Sequence, residues 1–369
     1  MPTIFEIFSY PITDNSAAAV AARSSAHCSF MNAECDGGGN RDLSTVDLSK
    51  NEDLAAYFPG KNHVCAGVCS IQMKHDASPW IVCPRRLLAL NREANESLVQ
   101  RQSEKRVVKL LDYPAGERLG IWSEVRIIYK GESAGNHKHF NYAFDYVVMP
   151  VRRFTDQELE TFTGKKWNLL KKELTRAGFV LSFRDGRECV EDFPAGVPSI
   201  IEIMTSSTSG GNKKKRSAIP MAFEDAILGR SHAAPGINFR QVWARMVSQL
   251  IVKSEVGIGW GGKTLWLVQD LLLDYMSQST ALRLKEFVSE HTSEVNLLSF
   301  SYGDEFKKAN GVIELSADVL YAGPISQDSS PTEKTHSFQD ILKAPILPPI
   351  QHLVNVLRKR KMTIVVIAP

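Results

Sequence analysis

No run of eighteen apolar residues occurs anywhere in this 369-residue chain, which argues against a membrane-spanning helix. The N-terminus lacks a basic stretch followed by an apolar core and a small-residue cleavage site, so a cytoplasmic location without a membrane partner is expected. Internal repeats are absent. Charge of one sign is also scarce. The formal net charge is +3 and the pI about 8.4, a balance that permits nucleic-acid contact without requiring it. Hydrophobic residues at 43% and charged residues at 23% are ordinary for a globular chain. This length allows two or three domains, or one large domain with insertions, and a core that needs no disulfides.

What is present is cysteine, unevenly placed. Five of the six cysteines fall between residues 28 and 83, as Cys28-x6-Cys35, a Gly37-Gly38-Gly39 loop, Cys65-x3-Cys69 and Cys83-Pro84. In a reducing compartment, cysteines paired at short spacing and separated by a longer insert read as a thiolate metal site. Five thiols for four places leave Cys65 or Cys69 over; the small-residue setting Gly67-Val68-Cys69 suits a metal-binding turn, so Cys28, Cys35, Cys69 and Cys83 are favoured. Four thiolates suit zinc and also iron. Cys189 stands apart and is expected to be packed.

Acids inside apolar strands are the second feature. Pro198 to Thr208 reads as a buried strand carrying Glu202, with a polar, Gly-ended run behind it. Phe140 to Pro150 is another β-rich run with Asp145 in its middle, and Leu119 to Tyr129 carries Glu124. An unpaired buried charge costs about 3–5 kcal/mol, so such acids need a partner. Two strands presenting Asp145 and Glu202 to one edge would make an oxygen site for Mg²⁺ together with a substrate phosphate. A surface ion pair is the plainer alternative, for Glu124 above all.

Elsewhere the periodicity predicts helices over Ser16 to Arg23, Leu87 to Glu104, Thr155 to Arg176, Phe239 to Lys253 and Leu282 to Glu290. It predicts a hairpin over Phe179 to Val190 and strands at Asn296 to Tyr302, around Gly311 to Tyr321, and at Thr363 to Ile367. Four consecutive cations, Lys213, Lys214, Lys215 and Arg216, lie just behind the Glu202 strand, where they would contact a DNA backbone. Gly257-x4-Gly262-Lys263-Thr264 matches a phosphate loop by spacing. A helix precedes it, where the genuine motif leaves a strand and opens a helix, so a glycine hinge is expected instead of a nucleotide site.

Gly67-Val68-Cys69, Trp80-Ile81-Val82-Cys83-Pro84-Arg85-Arg86-Leu87, Phe144-Asp145-Tyr146 and Glu202-Ile203-Met204-Thr205, in this order, resemble the NotI-type restriction endonucleases. Phe239 to Lys253 and Trp266 to Leu273 resemble that family's later helices more loosely, and the likeness spans roughly residues 25 to 280. The resemblance implies an α/β fold, a PD-(D/E)XK nuclease core of mixed β-sheet flanked by helices, preceded by a cysteine-metal segment. The corresponding division is 1–105 for the four-cysteine metal-binding region, 106–280 for the nuclease core and 281–369 for a C-terminal extension.

As function it implies Mg²⁺-dependent, site-specific hydrolysis of double-stranded DNA by a homodimer, in a host that carries the cognate DNA methyltransferase. Asp145 and Glu202 would hold the Mg²⁺, and Cys28, Cys35, Cys69 and Cys83 a structural iron or zinc. Two residues after the Glu the general pattern has Lys, and the enzyme that gives the family its name has Gln. Here the position is Met204, a thioether that cannot polarise water as an amine can. Either Met204 fills the catalytic slot while Thr205, Ser207 or a lysine of the Lys213 to Lys215 loop substitutes, or the correspondence is shifted along the chain, or the protein is an inactive relative, a non-hydrolytic, metal-containing DNA-binding protein.

Overall fold

The computed structural model describes residues 1–38, 44–90, 101–131, 138–279, 282, 284–307, 310–325, 337–338 and 348–367. Gly39 and the middle of the helix expected over Leu87 to Glu104 lie outside the described residues. The architecture is mixed α/β.

The strands that matter here are β1 (Thr3–Ile7), β2 (Val68–Gln72), β3 (Trp80–Ile81), β4 (Arg118–Gly131), β5 (Lys138–Thr155), β6 (Arg187–Pro194), β7 (Ser199–Met204), β8 (Lys263–Gln269), β9 (Val295–Ser301), β10 (Ser316–Gly323) and β11 (Thr363–Val366). The helices are α1 (Gln102–Leu111), α2 (Asp156–Thr163), α3 (Trp167–Ala177), α4 (Ile219–Ile227), α5 (Phe239–Gly259), α6 (Asp270–Ser279) and α7 (Ile350–Leu357).

One large sheet dominates. β4 and β5 form a long antiparallel hairpin, β5 pairs antiparallel with β7, and β7, β8 and β9 run parallel. β10 pairs antiparallel with β9, β6 pairs with the far half of β5, and β11 adds to β4. The residues beyond 281 thus share the sheet that carries Asp145 and Glu202. Ser-Ile-Ile-Glu-Ile-Met of β7 and Lys-Thr-Leu-Trp-Leu-Val-Gln of β8 read as continuous apolar runs because both faces are covered, as parallel strands usually require. Ile200 packs on one face with Phe144, Val256 and Trp260, and Ile201 on the other with Tyr146, Leu265 and Leu298.

The N-terminal segment forms its own small sheet containing β1, β2 and β3, and docks through buried polar groups. Gln269, at the end of β8, accepts from the Ile81 N–H at 2.8 Å and donates to the Pro79 carbonyl at 2.7 Å. Glu6 on β1, fully buried, receives Arg86 at 3.2 Å and the Tyr302 hydroxyl at 2.6 Å. Each charge in this network has its partner, which a buried ion pair needs if it is not to destabilise the core.

Several sequence-based expectations are corrected. Helix is found at Pro84–Leu87 and again at α1, but Leu88 is extended, so no single helix runs from Leu87 to Glu104. The Thr155 to Arg176 helix is two helices, α2 and α3, because Gly164 adopts a left-handed φ of 67° and ends the first. The later-helix resemblance of Trp266 to Leu273 divides at Gln269, the first part being strand β8 and the second helix α6. Within Leu282 to Glu290 the described residues form a short 3₁₀ turn, Leu284–Phe287, and a two-residue strand, Val288–Ser289, that pairs with β10, in place of a helix. The Gly257 to Thr264 motif runs from a helix end into a strand, the reverse of a phosphate loop. Its Lys263 ammonium donates to Thr292 Oγ1 at 2.9 Å and its Thr264 hydroxyl to the Lys253 carbonyl at 2.9 Å. Among the described residues no helix is long and apolar enough to cross a membrane.

Candidate active site

β5 and β7 pair through Tyr146↔Ile201, one residue short of Asp145 and Glu202. The two acids are therefore neighbours across adjacent strands. The ladder is replaced there by a side chain, since Asp145 Oδ2 accepts the Ile203 N–H at 2.7 Å. Glu202 is buried, Asp145 half-buried and Glu124 exposed, so accessibility rises from the first acid to the third. Glu124 lies on β4 between Val125 and Ser123, which pair with Phe144 and Tyr146 on either side of Asp145. Its φ of 52° is left-handed, a conformation uncommon outside glycine, and Arg360 donates to its carbonyl at 2.8 Å.

A cation is already at the site. Lys253, from the buried side of α5, places its Nζ 2.5 Å from Glu202 Oε2, with both side chains almost completely enclosed. The ammonium also lies 5.6 Å from the Phe144 ring centre and 5.8 Å from that of Trp266. The other Glu202 oxygen, Oε1, is buried without a hydrogen-bond partner. Burial, reinforced by the Asp145 charge, pushes the Glu202 carboxyl up to about 8, and Lys253 together with the Asp145 backbone N–H opposes this without cancelling it. Burial likewise raises Asp145, against the Ile203 N–H, Lys253 and Arg85, while Glu124 adds to the rise. Two acids raised chiefly by burial, one with an orphaned oxygen, thus stand together as oxygen donors. That suits a hard divalent ion such as Mg²⁺.

Met204 shares the Glu202 face of β7, but its side chain is buried among Val242, Met246, Leu250 and Trp266, an apolar cluster. Lys213, Lys214 and Lys215 are exposed on a turn beyond β7. Arg216 is engaged elsewhere, its guanidinium bound to Asp225 at 2.8 and 2.9 Å and to Glu224 at 3.0 Å, so it fastens the loop to α4.

Cys28, Cys69 and Cys83 share a buried pocket, with Cys35 packed against it. A Cys69–Cys83 hydrogen bond raises Cys69 and lowers Cys83, while burial raises Cys28 and Cys35, each also acted on by the Cys83 charge. Cys69 accepts the Ser9 N–H at 3.4 Å while its own thiol donates to the Gly67 carbonyl at 3.6 Å, and backbone amides oppose the rise at Cys28 and Cys35 and favour the ionised Cys83. Amide dipoles aimed at sulfur favour thiolates. Among the described residues, however, no group of three or more His, Cys, Asp or Glu is arranged so that it could hold a metal ion. Cys65 is partly exposed, and Gly37 approaches its sulfur so closely that a Cβ there would lie 3.4 Å from it. Cys189 is buried on β6.

Lys253 is the site residue that the sequence pattern did not single out, although a signal was there. Val242, Met246, Leu250, Lys253 and Val256 follow one another at spacings of four, four, three and three, so the lysine occupies the core stripe of α5. No family model matches the chain, and no curated protein matches it.

Proposed function

We propose that this protein is a type II restriction endonuclease of the NotI kind, built on a PD-(D/E)XK-like core and hydrolysing phosphodiester bonds of double-stranded DNA with Mg²⁺. The observation that carries the reading is the meeting of Asp145 and Glu202 from separate strands, with one Glu202 oxygen buried and unpartnered. Asp145 and Glu202 would hold the ion, which when bound supplies positive charge to offset that developing on the phosphate. The chain's own residues do the rest. The Ile203 N–H fixes Asp145, Lys253 fixes Glu202, and the rising exposure through Asp145 to Glu124 gives the phosphate its direction of approach. Lys213, Lys214 and Lys215 are exposed where they can meet the DNA backbone, whereas Arg216 serves the fold.

Cys28, Cys35, Cys69 and Cys83 would hold a structural iron or zinc, supported by their gathering around one buried pocket. A homodimer acting on a palindromic site, and a cognate methyltransferase protecting the host, follow from the resemblance alone. A second reading, a DNA-binding protein without hydrolytic activity, is favoured by the burial of Met204 in an apolar cluster. Incubating purified protein with plasmid DNA and Mg²⁺ separates the two. Discrete fragments support the nuclease, a retarded but uncut band supports the binder, and DNA that is neither cut nor retarded overturns both.

A further inference from the structure

A lysine enclosed in a protein core needs a reason, and Lys253 is 4% exposed. Its ammonium meets one acid at 2.5 Å and faces the rings of Phe144 and Trp266. These rings attract a cation but leave donor capacity unused, since an ammonium carries three N–H groups. The lysine is held from its backbone as well. Thr264 on β8 donates to the Lys253 carbonyl at 2.9 Å, and Gly257 packs so tightly on the same threonine that a Cβ there would lie 2.5 Å from its Oγ1. Strand β8 and helix α5 thus fix the lysine stem where it enters the site.

We infer that Lys253, delivered by α5, performs the water-orienting task that the strand position occupied by Met204 cannot. The inference rests on the nuclease reading above and adds to it the source of the amine. Glu202 and Met204 are alternate residues of β7 and share one face. Met204 and Leu250, one helical turn from Lys253, belong to the same buried apolar cluster, which brings strand slot and helix slot to one region of the core. Lys253 acts there as a positioning residue and hydrogen-bond donor. It holds Glu202 Oε2 with one N–H and directs a second at the oxygen of the attacking water.

The test compares wild type, Asp145→Ala, Lys253→Met, Lys253→Gln and the exchanged double variant Met204→Lys/Lys253→Met. Plasmid cutting is measured in Mg²⁺, with DNA retention in Ca²⁺ and thermal melting as controls for binding and folding. Lys253→Met and Lys253→Gln are expected to lose cutting by about 10²–10³-fold while DNA retention in Ca²⁺ persists. The exchanged variant should recover at least about tenfold over Lys253→Met, a gain that a purely structural lysine would not give.

The role is overturned if either folded single variant cuts within about threefold of wild type, or if the folded exchanged variant shows no recovery. Should Lys253→Met not fold, Lys253→Gln decides, and the exchanged variant is compared with Lys253→Gln. Failure of the underlying reading looks different: wild type itself then leaves DNA uncut, or Asp145→Ala cuts as well as wild type.

Discussion

Arg85 donates to the Tyr146 hydroxyl at 2.9 Å and, through its other terminal nitrogen, to Asp36 at 3.0 Å. It therefore joins the cysteine pocket, through the neighbour of Cys35 and its own N–H to Cys83, to the residue that follows Asp145. Its positive charge also favours the ionised form of Asp145. Arg85→Gln should make the Asp145 carboxyl hold its proton more tightly and move the acid limb of the cleavage profile to higher pH. Profiles of wild type and variant that superimpose would disconnect Arg85 from the site.

Glu202 gives the clearest pH dependence. Its folded value of about 8 lies above that of an exposed glutamate, so the folded state binds this proton more tightly than the unfolded chain. The resulting stability is fully present below the unfolded value and is lost as pH rises through about 8. Without divalent ions, Glu202→Gln should therefore gain thermal stability relative to wild type between about pH 5 and pH 8. A constant difference in melting temperature across that window would refute the shift.

Gly257 is tested by a small change. Gly257→Ala adds a methyl group 2.5 Å from Thr264 Oγ1, and also within 3.1–3.2 Å of the β8 backbone. The helix gains about 1 kcal/mol in intrinsic propensity, but overpacking costs about 1–3 kcal/mol, so the contact outweighs the propensity. Because the same threonine holds the Lys253 carbonyl, cutting should fall further than stability. A variant that is more stable and equally active would show that α5 has room to move.

For the cysteine pocket, Cys69→Ser and Cys83→Ser should each release the bound metal and lower stability, whereas Cys189→Ser should keep it. Metal analysis of purified protein reads this directly, and wild type containing neither iron nor zinc would remove the metal assignment.

How much of this could be read from the sequence follows from the physics of each signal. Asp145 and Glu202 were legible because each is a lone charge in a run of β-branched and aromatic residues, a conflict that only a partner resolves. Five cysteines between residues 28 and 83 stood out by density, and Cys28, Cys69 and Cys83 share one buried pocket with Cys35 against it. Lys253 did not, because a lysine among Arg245, Gln249 and other polar residues resembles the solvated face of a helix, and only its place in the Val242–Met246–Leu250–Val256 stripe distinguishes it. Short apolar runs such as Leu265 to Leu273 carry no usable period, so the change from strand to helix at Gln269 was hidden. The pairing of Arg216 with Asp225 was equally invisible, since nothing local separates a solvated cation from one that binds a helix ahead.

The central claim is that Asp145 and Glu202 share one divalent ion, and calorimetric titration of Mn²⁺ into the DNA-free protein tests it most directly. Wild type should bind one ion with an affinity that rises from about pH 6 to about 8, where Glu202 gives up its proton, while Asp145→Asn and Glu202→Gln should each lose that binding. Equal Mn²⁺ affinity in all three proteins would contradict the account.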